Sequence, residues 1–307
     1  MNYIGDIDNI DNIEKFLLSK KNHHSIIFNG EKGIGKSIAA RNIVSNILNS
    51  QGSNEIYNLK WVSPDSKSDK ITIDQIRDLY GFLNQTDFDG KRRFVVIDAA
   101  DDLNVNSANI LLKPLEEPKN NCFFILINHK SSKILPTIKS RCINFRFSPP
   151  SKIQAEEILL PFVNYDKDLA KKYLIIANYN VGQAVNLSNL NLYDFYNYLL
   201  KFLSSKNFDF SSINAEISKL EFSDNWQSFF FLLKRVCYFL MNKYSIAVDS
   251  ENAMSQSLSK LNYEELGKLV DHINDIEYKI ANLYLSKKDC FQVVCLKLHE
   301  LCQKTII

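Results

Sequence analysis

Apolar runs without polar alternation recur in the first half of the chain, each bounded by polar or charged residues. They lie at Ser25–Phe28, Arg93–Asp98, Cys122–Ile127 and Ile143–Phe147. Such runs are typical of strands that are buried on both faces of a parallel sheet. Stretches with apolar residues at helical spacing, such as Thr72–Leu83, lie between them. This alternation predicts an α/β domain with helices on both faces of a parallel sheet.

After Ser148-Pro149-Pro150, which predicts a domain boundary, the pattern is helical to the end of the sequence. We predict helices at 151–160, 166–178, 182–190, 192–204, 211–220, 224–245, 254–260, 262–285 and 288–303. The predicted organisation is an α/β domain over 1–148, a small helical domain over 149–190 and a larger all-α domain over 191–307. The aromatic-rich stretch Trp226–Leu240 is interpreted as core or subunit interface rather than as a platform on which bases stack.

Two segments of the first domain are less regular. Residues 49–70 are polar and rich in turn-forming residues, which predicts a surface excursion with a strand near 56–62. The predicted helix 107–117 contains Pro114, which lacks a backbone N–H and can kink a helix.

Composition narrows the function classes only a little. Among 307 residues, 37 are basic and 35 acidic, a balance that does not indicate nucleic-acid binding. The six cysteines form no C-x-x-C pair, which favours reduced core thiols and a cytoplasmic protein. Met1–Asn12 has no apolar segment of the signal-peptide kind, and no run approaches the ~18 apolar residues of a membrane span. We expect no membrane association.

The strongest local signal is the stretch from Gly30 to Ser37, which has the spacing G-x-x-x-x-G-K-S between a predicted strand and a predicted helix. Gly30, Gly33 and Gly35 let the backbone N–H groups turn toward phosphate oxygens, next to the positive end of the helix. Lys36 would reach the outer phosphates, and Ser37 would give its hydroxyl to Mg²⁺. The alternative is a glycine-rich turn that no longer binds a nucleotide.

Asp98 ends the second apolar run at the carboxyl edge of the predicted sheet, where open α/β sheets bind ligands. There it can hold Mg²⁺ opposite Ser37. The alternative is an aspartate that caps the next turn.

Two further motifs follow the loop in order: Asn109-Ile-Leu-Leu-Lys-Pro-Leu-Glu-Glu-Pro118 and Leu135-Pro-Thr-Ile-Lys-Ser-Arg-Cys142. With Gly30–Ser37, they closely resemble the AAA+ clamp-loader subunits of bacterial replication, and the resemblance covers about 25–147. It implies an AAA+ P-loop α/β domain, a small helical lid over 149–190 and a helical collar over 191–307.

The sequence departs from the pattern that this resemblance implies for an active ATPase. Ala99 and Ala100 follow Asp98, where a glutamate would orient the attacking water. Gln183 stands where the lid would carry an arginine. Glu116 or Asp101 is the candidate substitute for the missing glutamate if the chain hydrolyses ATP itself.

The resemblance also implies a role for Arg141 as a finger that acts in trans at a neighbouring subunit; an intramolecular salt bridge is the alternative. Asn128, at the tip of a predicted strand, joins the implied nucleotide-binding residues. The implied cofactors are ATP or ADP with Mg²⁺, and no zinc. The implied partners are tau/gamma-type and delta-type subunits in a hetero-oligomer, with the sliding clamp and primer-template DNA reached through the complex. An active AAA+ motor subunit remains the alternative function.

Overall fold

The computed structural model describes residues 7–19, 23–53, 55–64, 70–84, 91–118, 121–129, 134–205, 209–220, 222–241, 263–283 and 285–303. The chain divides into two compact units, 1–154 and 155–307. The predicted further division between a lid and a collar near residue 190 stays a prediction.

The described residues of the first unit form a five-stranded parallel sheet with the order β2-β3-β4-β1-β5. The strands are β1 (Ser25–Asn29), β2 (Leu59–Val62), β3 (Arg93–Asp98), β4 (Cys122–Asn128) and β5 (Ile143–Arg146). The predicted parallel sheet is confirmed. The strand expected near 56–62 begins only at Leu59, as β2, because residues 55–58 form a short helix instead. Residues 54 and 65–69 of the polar excursion lie outside the described part of the chain.

Helices pack on both faces of this sheet. They are α1 (Ile7–Leu18), α2 (Lys36–Ser50), α3 (Glu55–Asn58), α4 (Ile73–Leu83), α5 (Val105–Glu116) and α6 (Pro136–Lys139). One core joins α1 and α2 to strand residues such as Phe94 and Val96. The other joins α4 and α5 to Val95 and Ile97. Successive β3 side chains therefore enter opposite cores, which explains the absence of polar alternation in this strand.

Pro114 does not break α5. In a regular helix the N–H of residue 114 would bond to the carbonyl of Ile110, and proline has no N–H to give. The hydroxyl of Tyr80 on α4 donates to that Ile110 oxygen at 2.9 Å. The side chain of one helix thus satisfies the backbone acceptor that Pro114 leaves open in the next, and Pro114 itself is buried.

The described part of the second unit is helical, and the division between the units falls within α7. The helices are α7 (Lys152–Leu159), α8 (Lys167–Ile176), α9 (Val181–Asn189), α10 (Leu192–Ser204), α11 (Phe210–Ser218), α12 (Phe222–Met241), α13 (Tyr263–Leu283) and α14 (Lys287–Gln303), with a 3-10 turn at Leu160–Val163. The helix predicted at 254–260 lies outside the described residues. None of the described helices is long and apolar enough to cross a membrane.

The aromatic stretch of α12 forms core within the chain, as one of the two interpretations predicted. Trp226, Phe229 and Phe230 are buried, and Phe230 meets Phe291 of α14 with ring centroids 5.5 Å apart. Helix α13 carries an apolar stripe at helical spacing, which is buried from Leu266 to Ile280. Its last member, Leu283, is 62% exposed, because the helix ends there.

Four of the six cysteines are buried, as predicted for core thiols, whereas Cys142 and Cys290 are partly exposed. Cys295 and Cys302 on α14 are both inaccessible to solvent. Burial raises the pKa of the Cys302 thiol to about 12, so it stays protonated at physiological pH.

Candidate nucleotide site

The loop between β1 and α2 needs glycine at three positions for two different reasons. Gly33 (φ 88°) and Gly35 (φ 93°) adopt left-handed backbone conformations that other residues rarely adopt. At Gly30 a Cβ would lie only 2.6 Å from the carbonyl oxygen of Phe147. Helix α2 begins immediately afterwards, at Lys36. The loop therefore has the backbone of a phosphate cradle at a helix N-terminus.

Lys36 is turned into its own loop. Its Nζ donates to the carbonyl oxygens of Gly30 at 2.7 Å and Glu31 at 2.5 Å, and the side chain is buried. Burial lowers the pKa of Lys36 to about 8, against the opposing effect of Asp98, Asp101 and Glu31. The amine is still mostly charged at pH 7, so an incoming phosphate can replace the neutral carbonyl acceptors.

Two carboxylates, those of Asp98 and Asp101, act electrostatically on the Lys36 amine and favour its charged form. Asp98 ends β3, and Asp101 lies in the 3-10 turn that follows (Ala100–Asp102). The N-cap of that turn is Ala99, without a side-chain capping bond, so Asp98 does not cap it as the alternative supposed. An acidic oxygen at the carboxyl end of the strand suits Mg²⁺, which takes one or two protein carboxylates beside phosphate and water. Ser37 stands in the first turn of α2, where its hydroxyl would be the second protein ligand.

Asn128 belongs to a chain of three amides on the neighbouring strands β4, β1 and β5. It is fully buried and donates through Nδ2 to Oδ1 of Asn29, its register partner on β1. Asn29 in turn donates to Oδ1 of Asn144 on β5 at 2.6 Å. The Oδ1 atom of Asn128 has no hydrogen-bond partner in the described part of the chain. This buried acceptor can take a bond from a ligand or a water molecule.

His129 is a site residue that the sequence interpretation missed. Its backbone N–H donates to Asp101 at 3.1 Å, and its Nε2 lies 3.9 Å from Oδ1 of Asp98. Burial, followed by the charge of Lys36, lowers the pKa of His129, so the ring is neutral at pH 7 and makes no ion pair with Asp98. Its position directly after Asn128 at a strand end was the available signal.

A cleft of about 450 Å³ opens at the carboxyl ends of β4, β1 and β5. It is lined by Asn29, Gly30, Glu31, His129, Asn144 and Arg146. The cleft therefore adjoins the first residues of the phosphate loop, at the edge of the sheet that the sequence predicted for ligand binding.

The structure shows what surrounds the positions at which the resemblance implies a catalytic group that this sequence lacks. Ala99 and Ala100 are buried, and their methyl groups cannot accept a proton. Asp101 accepts the backbone N–H of His129, and Glu116 is bonded to Arg141. Gln183 lies in the second unit, at the start of α9, where its backbone N–H donates to the capping Asn180 side chain.

Arg141 follows α6 and makes the intramolecular salt bridge that was the alternative for this residue. Its Nε donates to Oε1 of Glu116 at 2.7 Å, and its Nη1 donates to the carbonyl of Thr137 at 2.8 Å. The Arg141 side chain keeps 32% of its surface exposed. Partly exposed ion pairs contribute little stability, so this pair does not prevent a second use of the guanidinium.

The parallel sheet, its phosphate loop and the helical second unit define an AAA+-type fold. A solved structure with this fold is the DNA polymerase III gamma subunit-related protein of Thermotoga maritima, at a TM-score of 0.50 and 20% identity over 98% of this chain and 100% of that one. Residues 6–151 match the family model described as DNA polymerase III, delta subunit.

Curated proteins that are similar to this chain include subunits of DNA polymerase III. The chain is 48% identical over 82 residues to DNA polymerase III subunit delta' of Pseudomonas aeruginosa, covering 27% of this chain and 25% of that protein. It is 31% identical over 193 residues to subunit delta' of Bacillus subtilis (58% and 56%), and 34% identical over 149 residues to subunit tau of that organism (44% and 26%). The matches thus span 25% to 56% of these relatives. Over these stretches the chain is similar to subunits of DNA polymerase III.

Proposed function

We propose that this chain is the delta prime subunit of a bacterial DNA polymerase III clamp loader, a ring member that is not itself a motor. It would assemble with tau/gamma-type and delta-type subunits in the cytoplasm. The assembly would place a sliding clamp on primed DNA during replication. The subunit's part in ATP hydrolysis would be Arg141, offered to the nucleotide site of the adjacent tau/gamma-type subunit.

The observation that carries the non-motor assignment is the pair of buried alanines after Asp98. A hydrolytic site needs a group that orients the attacking water, and a methyl group cannot do so. The loop itself keeps its glycines, Lys36 and Ser37. We therefore propose that it holds ATP or ADP without turnover, with Ser37 and Asp98 as the protein ligands of Mg²⁺. When bound, Mg²⁺ would neutralise phosphate charge at the mouth of the loop.

The isolated protein tests the non-motor assignment. Calorimetry with ATP and Mg²⁺ should show binding, and a phosphate-release assay on the same sample should show no turnover. Lys36→Ala should abolish the binding. Turnover near the ~1 per second of a slow ordinary enzyme, lost in Lys36→Ala, would contradict the proposal.

The role of Arg141 requires the assembled complex. Its guanidinium is always charged and can bond two phosphate oxygens at once, which suits stabilisation of charge on a transferring phosphoryl group. Arg141→Ala should leave the subunit folded and the complex assembled, while ATP hydrolysis falls by ~10³-fold at the adjacent site. Wild-type ATPase and clamp-loading rates in the variant complex would refute this role.

The second candidate function is an AAA+ ATPase that is active in its own right. Asp101 favours it, because this carboxylate lies in the turn after Asp98 and acts electrostatically on Lys36. If Asp101 orients water, the isolated protein should hydrolyse ATP, and Asp101→Asn should stop hydrolysis without loss of binding.

A further inference from the structure

The guanidinium of Arg141 is held along two edges by acceptors of different strength. Along one edge, Nε and Nη2 both donate to Oε1 of Glu116, with the Nε bond at 2.7 Å. At the other end, Nη1 donates to the carbonyl of Thr137 at 2.8 Å and to the hydroxyl of Ser140 at 3.3 Å. The Glu116 bonds join two opposite charges, whereas Thr137 and Ser140 offer only neutral oxygens.

This difference decides which edge can be given to another molecule. Hydrogen bonds between charged groups are roughly twice as strong as neutral ones. A phosphate that approaches Arg141 would therefore replace the Thr137 and Ser140 acceptors first. The Glu116 bonds would stay in place and fix the plane of the guanidinium, so that Nη1 and the outer N–H of Nη2 face the phosphate.

The platform beneath this pair is part of a packed core. Glu116 is the last residue of α5, directly after buried Leu115. Arg141 comes two residues after the end of α6, whose Ile138 is buried in the same core as Leu115. Both ends of the ion pair are thus attached to one well-packed body, and a carboxylate on such a body can hold a long arginine side chain in a set direction.

We propose that Glu116 is the positioning residue for Arg141: it binds the Nε edge and leaves the Nη1 edge to a phosphate of the neighbouring subunit. The inference rests on the proposed function of Arg141 in trans. It assigns Glu116 to the finger rather than to catalysis at the chain's own loop, where the sequence interpretation had considered it as a substitute base.

The test uses complexes reconstituted from the full set of clamp-loader subunits of the same source, with variants only in this chain. Glu116→Gln keeps the shape of the side chain but removes its charge. Steady-state ATP hydrolysis should show kcat lowered by about fivefold, the upper range for an exposed ion pair, with KM unchanged. Glu117→Gln is the matched control, since it removes the adjacent exposed carboxylate, and it should hydrolyse ATP as the wild type does.

A double-mutant cycle separates positioning from general structural damage. In the Arg141→Ala background, Glu116→Gln should have no further effect on kcat, because there is no guanidinium left to position. An equal loss in both backgrounds, an unchanged kcat in Glu116→Gln, or a raised kcat would each overturn the inference. If Arg141→Ala itself leaves kcat unchanged, the proposed trans role fails and the inference fails with it. If kcat falls in Arg141→Ala but not in Glu116→Gln, the trans role of Arg141 is supported and only the positioning role of Glu116 is refuted.

Discussion

The hydroxyl of Tyr80 donates to the carbonyl oxygen of Ile110, the acceptor that Pro114 leaves without a donor in helix α5. A proline in a helix interior ordinarily costs about 3 kcal/mol or kinks the helix. Here part of that cost is offset by a tyrosine on the neighbouring helix. The same helix carries Glu116 at its end, so its integrity bears on the position of Arg141.

Tyr80→Phe should lower the free energy of unfolding by about 1 kcal/mol, because the Ile110 carbonyl loses its only side-chain donor among the described residues. In the Pro114→Ala background the same substitution should cost less, since the restored N–H of residue 114 can bond to Ile110. Urea denaturation of the four proteins measures both values. Equal costs in the two backgrounds would show that the hydroxyl does not compensate for the proline.

Gly30→Ala should destabilise the protein by roughly 1–3 kcal/mol, the usual effect of overpacking. The new methyl group would lie 2.6 Å from the carbonyl oxygen of Phe147 and 2.7 Å from Cδ1 of Ile34. The backbone oxygen cannot move without shifting the strand end. Chemical denaturation and nucleotide calorimetry should show lower stability and weaker binding together.

Gly81→Ala is the matched control for this substitution. Gly81 lies within α4, and a Cβ there would meet nothing within 4 Å. Alanine should therefore stabilise the protein by up to about 1 kcal/mol through helix propensity. A loss of stability in Gly81→Ala similar to that in Gly30→Ala would mean that the effect at Gly30 does not come from its close contacts.

Nucleotide affinity should fall as pH rises through the pKa of Lys36, which burial lowers to about 8. Anionic phosphate binds best to the protonated amine. At a pH where Lys36 of the nucleotide-free protein is partly deprotonated, nucleotide binding must therefore be accompanied by uptake of a proton. The expected slope approaches tenfold in Kd per pH unit above pH 8 and vanishes near pH 7. Calorimetry with ADP in the absence of divalent cations, from pH 7 to 9.5, measures it.

Lys36→Met is the control for the pH profile, because it keeps a long side chain without a titratable group. Its binding should be weak and independent of pH over the same range. A wild-type affinity that stays constant between pH 7 and 9.5 would show that the amine does not contact the phosphate.

The sheet could be predicted from the sequence because its strands are buried on both faces. Each residue of β3 from Phe94 to Ile97 enters a core, so the apolar run has no alternation and is easily recognised. The phosphate loop was accessible for a different reason: its glycines are required by local backbone conformation and close approach, and these requirements act within a few residues. Both signals are contained in short stretches of sequence.

The contacts that the site residues make with one another could not be predicted from short stretches of sequence. Arg141 and Glu116 are 25 residues apart in the chain, and only the packing of α5 beside α6 brings them together. His129 had no motif of its own and became a site residue because β4 ends beside β3. The amide chain of Asn29, Asn128 and Asn144 likewise depends on strand order.

The sequence by itself determined the strands, most helix bounds, the phosphate loop and the lack of a glutamate after Asp98. These features depend on periodicity and on local backbone requirements, which involve only residues close together in the chain. The tertiary structure alone decided that Tyr80 completes the helix around Pro114 and that Glu116 holds Arg141. These are contacts between distant segments, and their energies depend on distances and burial that exist only after the sheet has assembled.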